Sequence, residues 1–273
     1  MEVESAFAAV STFPVGHCAV VPGAGLISAT RPGARQQDMT QVTKTTIGIL
    51  QPGHAPTNLA HERGDYDQCF RTLLGEDAFT YIVYDVEAGE LPASTAEADG
   101  WLITGSRHGA YEDHPWRDPL EDFIRSAYAG GRPLVGICFG HQIIARALGG
   151  DVVRADGGWI AGPQTYEGPG GMRFAVNAWH RDQVTKVPED LEVFLKGEGC
   201  PVAGLFQQGR VLTFQPHPEF SPDYTAALLA ERGSALPQPL QAELPARIRD
   251  IPLDQEQVAN MIRTFLSDAD YRP

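Results

Sequence analysis

Cys138 stands between two glycines in Gly136-Ile137-Cys138-Phe139-Gly140, where an apolar run meets a helix-like segment. Glycines flanking a central nucleophile permit a tight strand-to-helix turn, which lifts the side chain clear of the sheet. The helix begins at the cysteine, so its N-terminal dipole and free N–H groups favour thiolate over thiol and suit a developing oxyanion. A cysteine is mostly thiol at neutral pH and needs a base beside it. His217 is the candidate, in Gln215-Pro216-His217-Pro218-Glu219 directly after the apolar run Val211 to Phe214. Glu219 is the candidate third member, a carboxylate that fixes the imidazole tautomer and stabilises the imidazolium. The chemistry these residue types describe is attack of a thiolate on a carbonyl. Cys69 and Cys200 carry no such surroundings and are expected to be small buried hydrophobes. Cys138-x-x-His141 is half of a metal-ligand spacing, but no second Cys/His pair completes it, so no metal is expected.

These side chains need a rigid support, and the flanking sequence supplies the pattern of one. Ile47 to Leu50, Tyr81 to Tyr84, Trp101 to Thr104 and Pro133 to Ile137 read as short buried strands, with helices over Tyr66 to Leu74 and Pro119 to Tyr128 between them. Such alternation predicts a doubly wound α/β fold with a mostly parallel sheet. After Gly150 the helices thin out. Asp151 to Ala155, Met172 to Trp179, Leu191 to Lys196, Val202 to Gln207 and Val211 to Phe214 read as shorter strands, in part antiparallel. Beyond Pro222 the chain turns helical, and Val258, Met261, Ile262, Phe265 and Leu266 share one face of a terminal helix. Three segments result: a poorly ordered extension over 1–44, a catalytic domain over 45–222, and a helical extension over 223–273 packed on that domain.

Bulk properties narrow the partners. The 273 residues carry 21 Lys+Arg against 35 Asp+Glu, a formal charge of -14, which disfavours nucleic-acid phosphates and anionic membranes. No apolar run reaches membrane-spanning length. Glu2 and Glu4 stand where an export signal needs positive charge, and the four cysteines are scattered, so the cytoplasm is the expected compartment. Met39, shortly before the first strand, is a candidate alternative start.

Gly-Ile-Cys-Phe-Gly-His-Gln at 136–142 and Gln-Pro-His-Pro-Glu at 215–219 resemble the nucleophile and histidine motifs of the class I (triad) glutamine amidotransferases. The resemblance covers Thr46 to Asp223 and is nearest to stand-alone GMP-synthase-like amidotransferase domains. It implies a flavodoxin-like fold with the site at the strand ends, a γ-glutamyl thioester on Cys138, proton transfer by His217, orientation by Glu219, and no cofactor. It further implies an oxyanion donor in the Phe139 N–H and a second in Gly105 or Ser106, the second worth about 3 kcal/mol in the transition state. Thr104-Gly105-Ser106-Arg107-His108-Gly109 departs here from the family's Gly-Gly-Pro-type loop.

Gln142 matches the family position that contacts the glutamyl group, with an exposed helical glutamine as the alternative. Trp179-His180 matches a stretch beside the glutamyl backbone, where Trp179 replaces a small residue; packing is the preferred reading over a reshaped pocket. Arg107 and His108 either touch a substrate carboxylate or shape their loop. The expected substrate is a small molecule, glutamine or a γ-glutamyl amide or peptide. The alternatives are a glutaminase subunit serving a separate synthetase, and a non-catalytic binding protein on the same fold.

Overall fold

A computed structural model describes residues 44–273; the expectations for the first 43 residues, including the candidate start at Met39, lie outside the described residues. The apolar runs of the N-terminal half form parallel strands β1 (Thr46–Gln51), β2 (Thr80–Asp85), β3 (Gly100–Ile103) and β4 (Leu134–Ile137). Burial accounts for their composition: β3 and β4 are covered on both faces throughout, as a continuous apolar run requires. β2 differs. It lies at the sheet edge, is exposed or half-buried along its length, and leaves Val83 40% exposed.

Helices α1 (Thr57–Arg63), α2 (Tyr66–Leu74), α3 (Arg117–Ala129) and α4 (Phe139–Ala147) connect these strands, and three more follow the sheet: α5 (Pro222–Arg232), α6 (Gln238–Asp250) and α7 (Gln255–Ser267). Asp65 starts α2 with a capping box closed by Gln68. One face of the sheet packs on Phe70 and Leu74 of α2 with Val258, Ile262 and Phe265 of α7. The other packs on Leu120 and Ile124 of α3 with Ile143 and Ile144 of α4. Helices on both faces of a largely parallel sheet make the doubly wound arrangement.

The second half of the chain does not form a separate layer. β6 (Ile160–Glu167), β7 (Arg173–His180), β9 (Glu192–Gly197), β10 (Cys200–Gln207) and β11 (Val211–Phe214) continue the same sheet, and β5 (Asp151–Arg154) pairs with β8 (Asp182–Lys186) in a separate ribbon. The order across the large sheet is β2-β1-β3-β4-β11-β10-β9-β6-β7. β11 is parallel to β4, whereas β10, β9, β6 and β7 join by antiparallel pairs. The expectation that these added strands are short is corrected: β6, β7 and β10 have 8 residues each, twice the length of β3 or β4. β6 escaped the sequence pattern because Gly162 and Pro163 interrupt it. It is nonetheless paired with β7 from Ile160↔His180 to Glu167↔Arg173, and cross-strand pairing overrides weak local preference. No helix among the described residues is long and apolar enough to cross a membrane.

Candidate active site

The carboxyl ends of β4 and β11 bring the two sequence motifs together. These strands are parallel neighbours with Ile137 opposite Phe214, and the Cys138 N–H donates to the Phe214 carbonyl at 2.8 Å. Cys138 caps α4 with φ 53° and ψ −101°, and it alone of the described non-glycine residues has positive φ. An L-residue pays for that conformation in strain, which the surrounding contacts must hold. They do so through close backbone approach: a Cβ on Gly140 would lie 2.2 Å from the Ile103 carbonyl oxygen, and one on Gly136 would lie 2.5 Å from the Gly140 carbonyl oxygen. Of the first N–H groups of α4, that of Gly140 donates to the Thr104 carbonyl at 3.2 Å, while that of Phe139, next to the thiol in the chain, has no intrahelical acceptor.

His217 is fixed from three directions. Its backbone N–H donates to the Asn177 carbonyl at 2.7 Å, while the Asn177 side chain donates to the Phe220 carbonyl at 2.8 Å, clamping the loop. Its ring stacks on Phe220 with centroids 4.0 Å apart and planes 4° apart. Its Nδ1 lies 2.7 Å from Glu219 Oε1, a side chain wholly removed from solvent. Burial by itself lowers the imidazole pKa, but negative charge on Cys138 and on Glu219 outweighs it and raises His217 to about 10. Both contacts favour the protonated imidazole. Gly105 faces this pair, since a Cβ there would lie 2.9 Å from the His217 ring and 3.9 Å from the Cys138 Cβ. Burial pushes the thiols of Cys69 and Cys200 each up to about 12.

Cys138 and His217 open into a cavity of about 310 Å³, which Phe139, Ser106, Arg107, Gln142, Trp179 and His180 also line. Gly105 and Glu219 sit behind that surface. Gln142 is buried, so the exposed-helix alternative is overturned; its amide donates to the Asp182 carbonyl at 2.9 Å and to Gln215 Oε1 at 3.1 Å. Trp179 both packs and lines, meeting Trp159 edge to face at 6.2 Å. Arg107 reaches the rim but is paired with Glu87 at 2.5 Å. Ser106 Oγ is occupied, donating to the Pro52 carbonyl at 2.9 Å and accepting from the His108 N–H at 3.1 Å. Asn177, Trp159 and the α5 residues Glu231 and Arg232 were not singled out from the sequence. Asn177 carries no local signal, and Arg232 lies 94 positions after Cys138 in a helix that only the tertiary fold places over the cavity.

Two buried histidines flank the site. His141 Nδ1 lies 2.7 Å from Thr213 Oγ1. Burial lowers His141 to about 3, assisted by His180, and lowers His180 to about 3, assisted by His217. Above about pH 6.5 both are neutral whether folded or unfolded, and they contribute no pH dependence. Below it the unfolded chain binds protons that the folded chain excludes until about pH 3. Stability is therefore expected to fall with falling pH across this window, by about 1.4 kcal/mol per pH unit for each histidine. Urea midpoints measured from pH 7 to pH 4.5 check this, and His141→Asn should remove its share of the slope.

The family model of glutamine amidotransferase class-I matches residues 78–233. A glutamine amidotransferase-like protein of Schizosaccharomyces pombe is 31% identical over 244 residues, covering 81% of this chain and 98% of that protein. Gamma-glutamyl peptidase 4 of Arabidopsis thaliana is 31% identical over 177 residues, covering 59% of this chain and 70% of that one. Among solved structures, a glutamine amidotransferase of Methylobacillus flagellatus superposes with a TM-score of 0.67 at 19% identity, over 85% of this chain and 97% of that one, which establishes the shared fold. With more than half its length matched by the family model, this chain belongs to the class-I glutamine amidotransferases.

Proposed function

We propose that this protein hydrolyses the γ-carboxamide of glutamine or of a γ-glutamyl amide or peptide, with Cys138 as nucleophile. The observation that carries the reading is the Cys138 thiol at a strained helix start, facing a cavity it shares with a histidine paired at 2.7 Å to a buried glutamate. Cys138 Sγ attacks the γ-carbonyl carbon, and the oxyanion that forms is held by the Phe139 N–H with that of Gly105 or Ser106. The C–N bond breaks as His217 gives its proton to the departing amine, leaving a γ-glutamyl thioester. Water, deprotonated by His217, then adds to the thioester; the C–S bond breaks, glutamate leaves and the thiolate is restored. Glu219 holds His217 in the tautomer both steps need. Gln142 and His180 are the proposed contacts to the glutamyl moiety.

The cavity supports leaving groups larger than ammonia. It runs on from Cys138 to Trp159, Trp179, Arg181 and Arg232, a wall with aromatic faces and guanidinium groups. Aromatic faces suit an apolar side chain and guanidinium groups a carboxylate, as a γ-glutamyl peptide offers. A relative named as a γ-glutamyl peptidase supports the same substrate class.

The test is glutamate release by the purified chain from glutamine and a panel of γ-glutamyl amides and dipeptides, with no other protein present. Turnover of at least one γ-glutamyl compound is the expected result. Silence that ends only when a synthetase is added would establish the subunit reading instead, and silence under both conditions would favour a binding protein.

A further inference from the structure

At the rim of the cavity, on the loop between β3 and α3, three side chains converge that the proposed reaction does not use. His108, Glu112 and His114 offer one donor atom each, all within 4.8 Å of one another. Glu112 Oε2 lies 3.2 Å from His114 Nε2 and 3.8 Å from His108 Nδ1. In a tetrahedral zinc site with bonds near 2.1 Å, ligand atoms stand about 3.4 Å apart. The group is therefore close to coordinating spacing, and Glu112, half-exposed, has the freedom to close the remainder.

The rings are already held. The other nitrogen of His108, Nε2, sits 3.0 Å from Glu87 Oε1, and the parallel His114 and Trp116 rings have centroids 5.0 Å apart. A carboxylate on the far nitrogen of a ligating imidazole is the arrangement that orients metal-binding histidines. His108 stands between two carboxylates, Glu87 Oε1 at 3.0 Å from Nε2 and Glu112 Oε2 at 3.8 Å from Nδ1, and when Nε2–H donates to Glu87 it is Nδ1 that is left to coordinate. Charge agrees: Glu87 and Glu112 outnumber Arg107, and Glu87 Oε2 is buried with no partner.

We propose that His108, Glu112 and His114 bind one divalent transition-metal ion of the zinc class, with Glu87 as the outer carboxylate that orients His108. Two imidazoles and a carboxylate favour zinc, nickel or copper over magnesium or calcium. Three protein donors leave a fourth position for water. Because the His108 N–H is bonded to Ser106 Oγ, an ion here would pin the segment that runs past Cys138 as residues 105–108.

A thiolate beside a histidine can itself take zinc, so the experiment uses full-length Cys138→Ala protein, freed of metal by chelation and titrated with zinc chloride in a calorimeter. One ion per chain with a micromolar or tighter Kd is expected, together with a zinc-dependent rise in melting temperature. Glu112→Gln and His114→Ala, each added to Cys138→Ala, should weaken binding at least tenfold. Glu112→Gln keeps the side-chain shape, so an unchanged metal-free melting temperature shows that its fold is intact. Zinc affinity that survives both substitutions, an equal response to magnesium, or binding that disappears in Cys138→Ala alone would each overturn the proposal.

Discussion

Cys138→Ala is expected to lower release of glutamate from γ-glutamyl amides by about 10⁴-fold or more, while leaving the protein folded. The size follows from what the substitution removes. Without the sulfur no thioester can form, and residues acting as one catalytic unit lose nearly their whole joint contribution when the nucleophile goes. The fold should tolerate the change because Cys138 contributes one small side chain at a strand end, and alanine relieves none of the backbone constraints set by Gly136 and Gly140. The strained φ of 53° persists with any L-residue, so melting temperature should move little. The measurement is kcat/KM for wild type and variant on the best substrate of the panel, alongside far-ultraviolet circular dichroism. A folded variant with wild-type turnover would remove Cys138 from the mechanism.

Gly140→Ala carries the largest expected effect on stability. The added methyl would lie 2.2 Å from the Ile103 carbonyl oxygen and 2.9 Å from its carbonyl carbon. These are backbone atoms of β3, buried and paired to β1 and β4, and they cannot step aside as the tip of a flexible side chain can. Relief requires α4 to shift off the sheet, opening the contacts of Ile143 and Ile144 with the core. Overpacking of this kind costs about 3 kcal/mol or more when backbone must move. Gly157→Ala is the comparison, since a Cβ there meets nothing within 4 Å; its stability should stay within about 1 kcal/mol of wild type. Equal urea midpoints for the two variants would show that the helix start tolerates separation from β3.

Some of this architecture was legible because it is local. β1, β3, β4 and β11 are apolar runs bounded by turn residues, and α2 and α7 carry their apolar positions at helical spacing. The same was true of the turn at Cys138, where the two glycines and the thiol lie within five consecutive residues. β6 and β8 were not legible: Gly162 and Pro163 disguise the first, and only Arg181 separates the second from the end of β7, where the chain leaves one sheet for another. Their existence depends on partners far along the chain.

The amino-acid sequence by itself determined the chemistry on offer and its local support: a thiol at a helix start, a histidine two residues before a glutamate, and the apolar periodicities that commit the chain to an α/β sheet. Only the tertiary structure decided how these meet. Pairing of β4 with β11 places Cys138 beside His217, Asn177 from β7 clamps the histidine loop, and α5 carries Arg232 to the cavity wall. The physical reason is range. Turn and helix preferences act over a few residues, whereas hydrogen-bonded strand registry and burial join positions that sequence spacing leaves unrelated. The same division holds at the rim, where Glu87 meets His108 from 21 positions away and turns an ordinary loop into a cluster of converging donors.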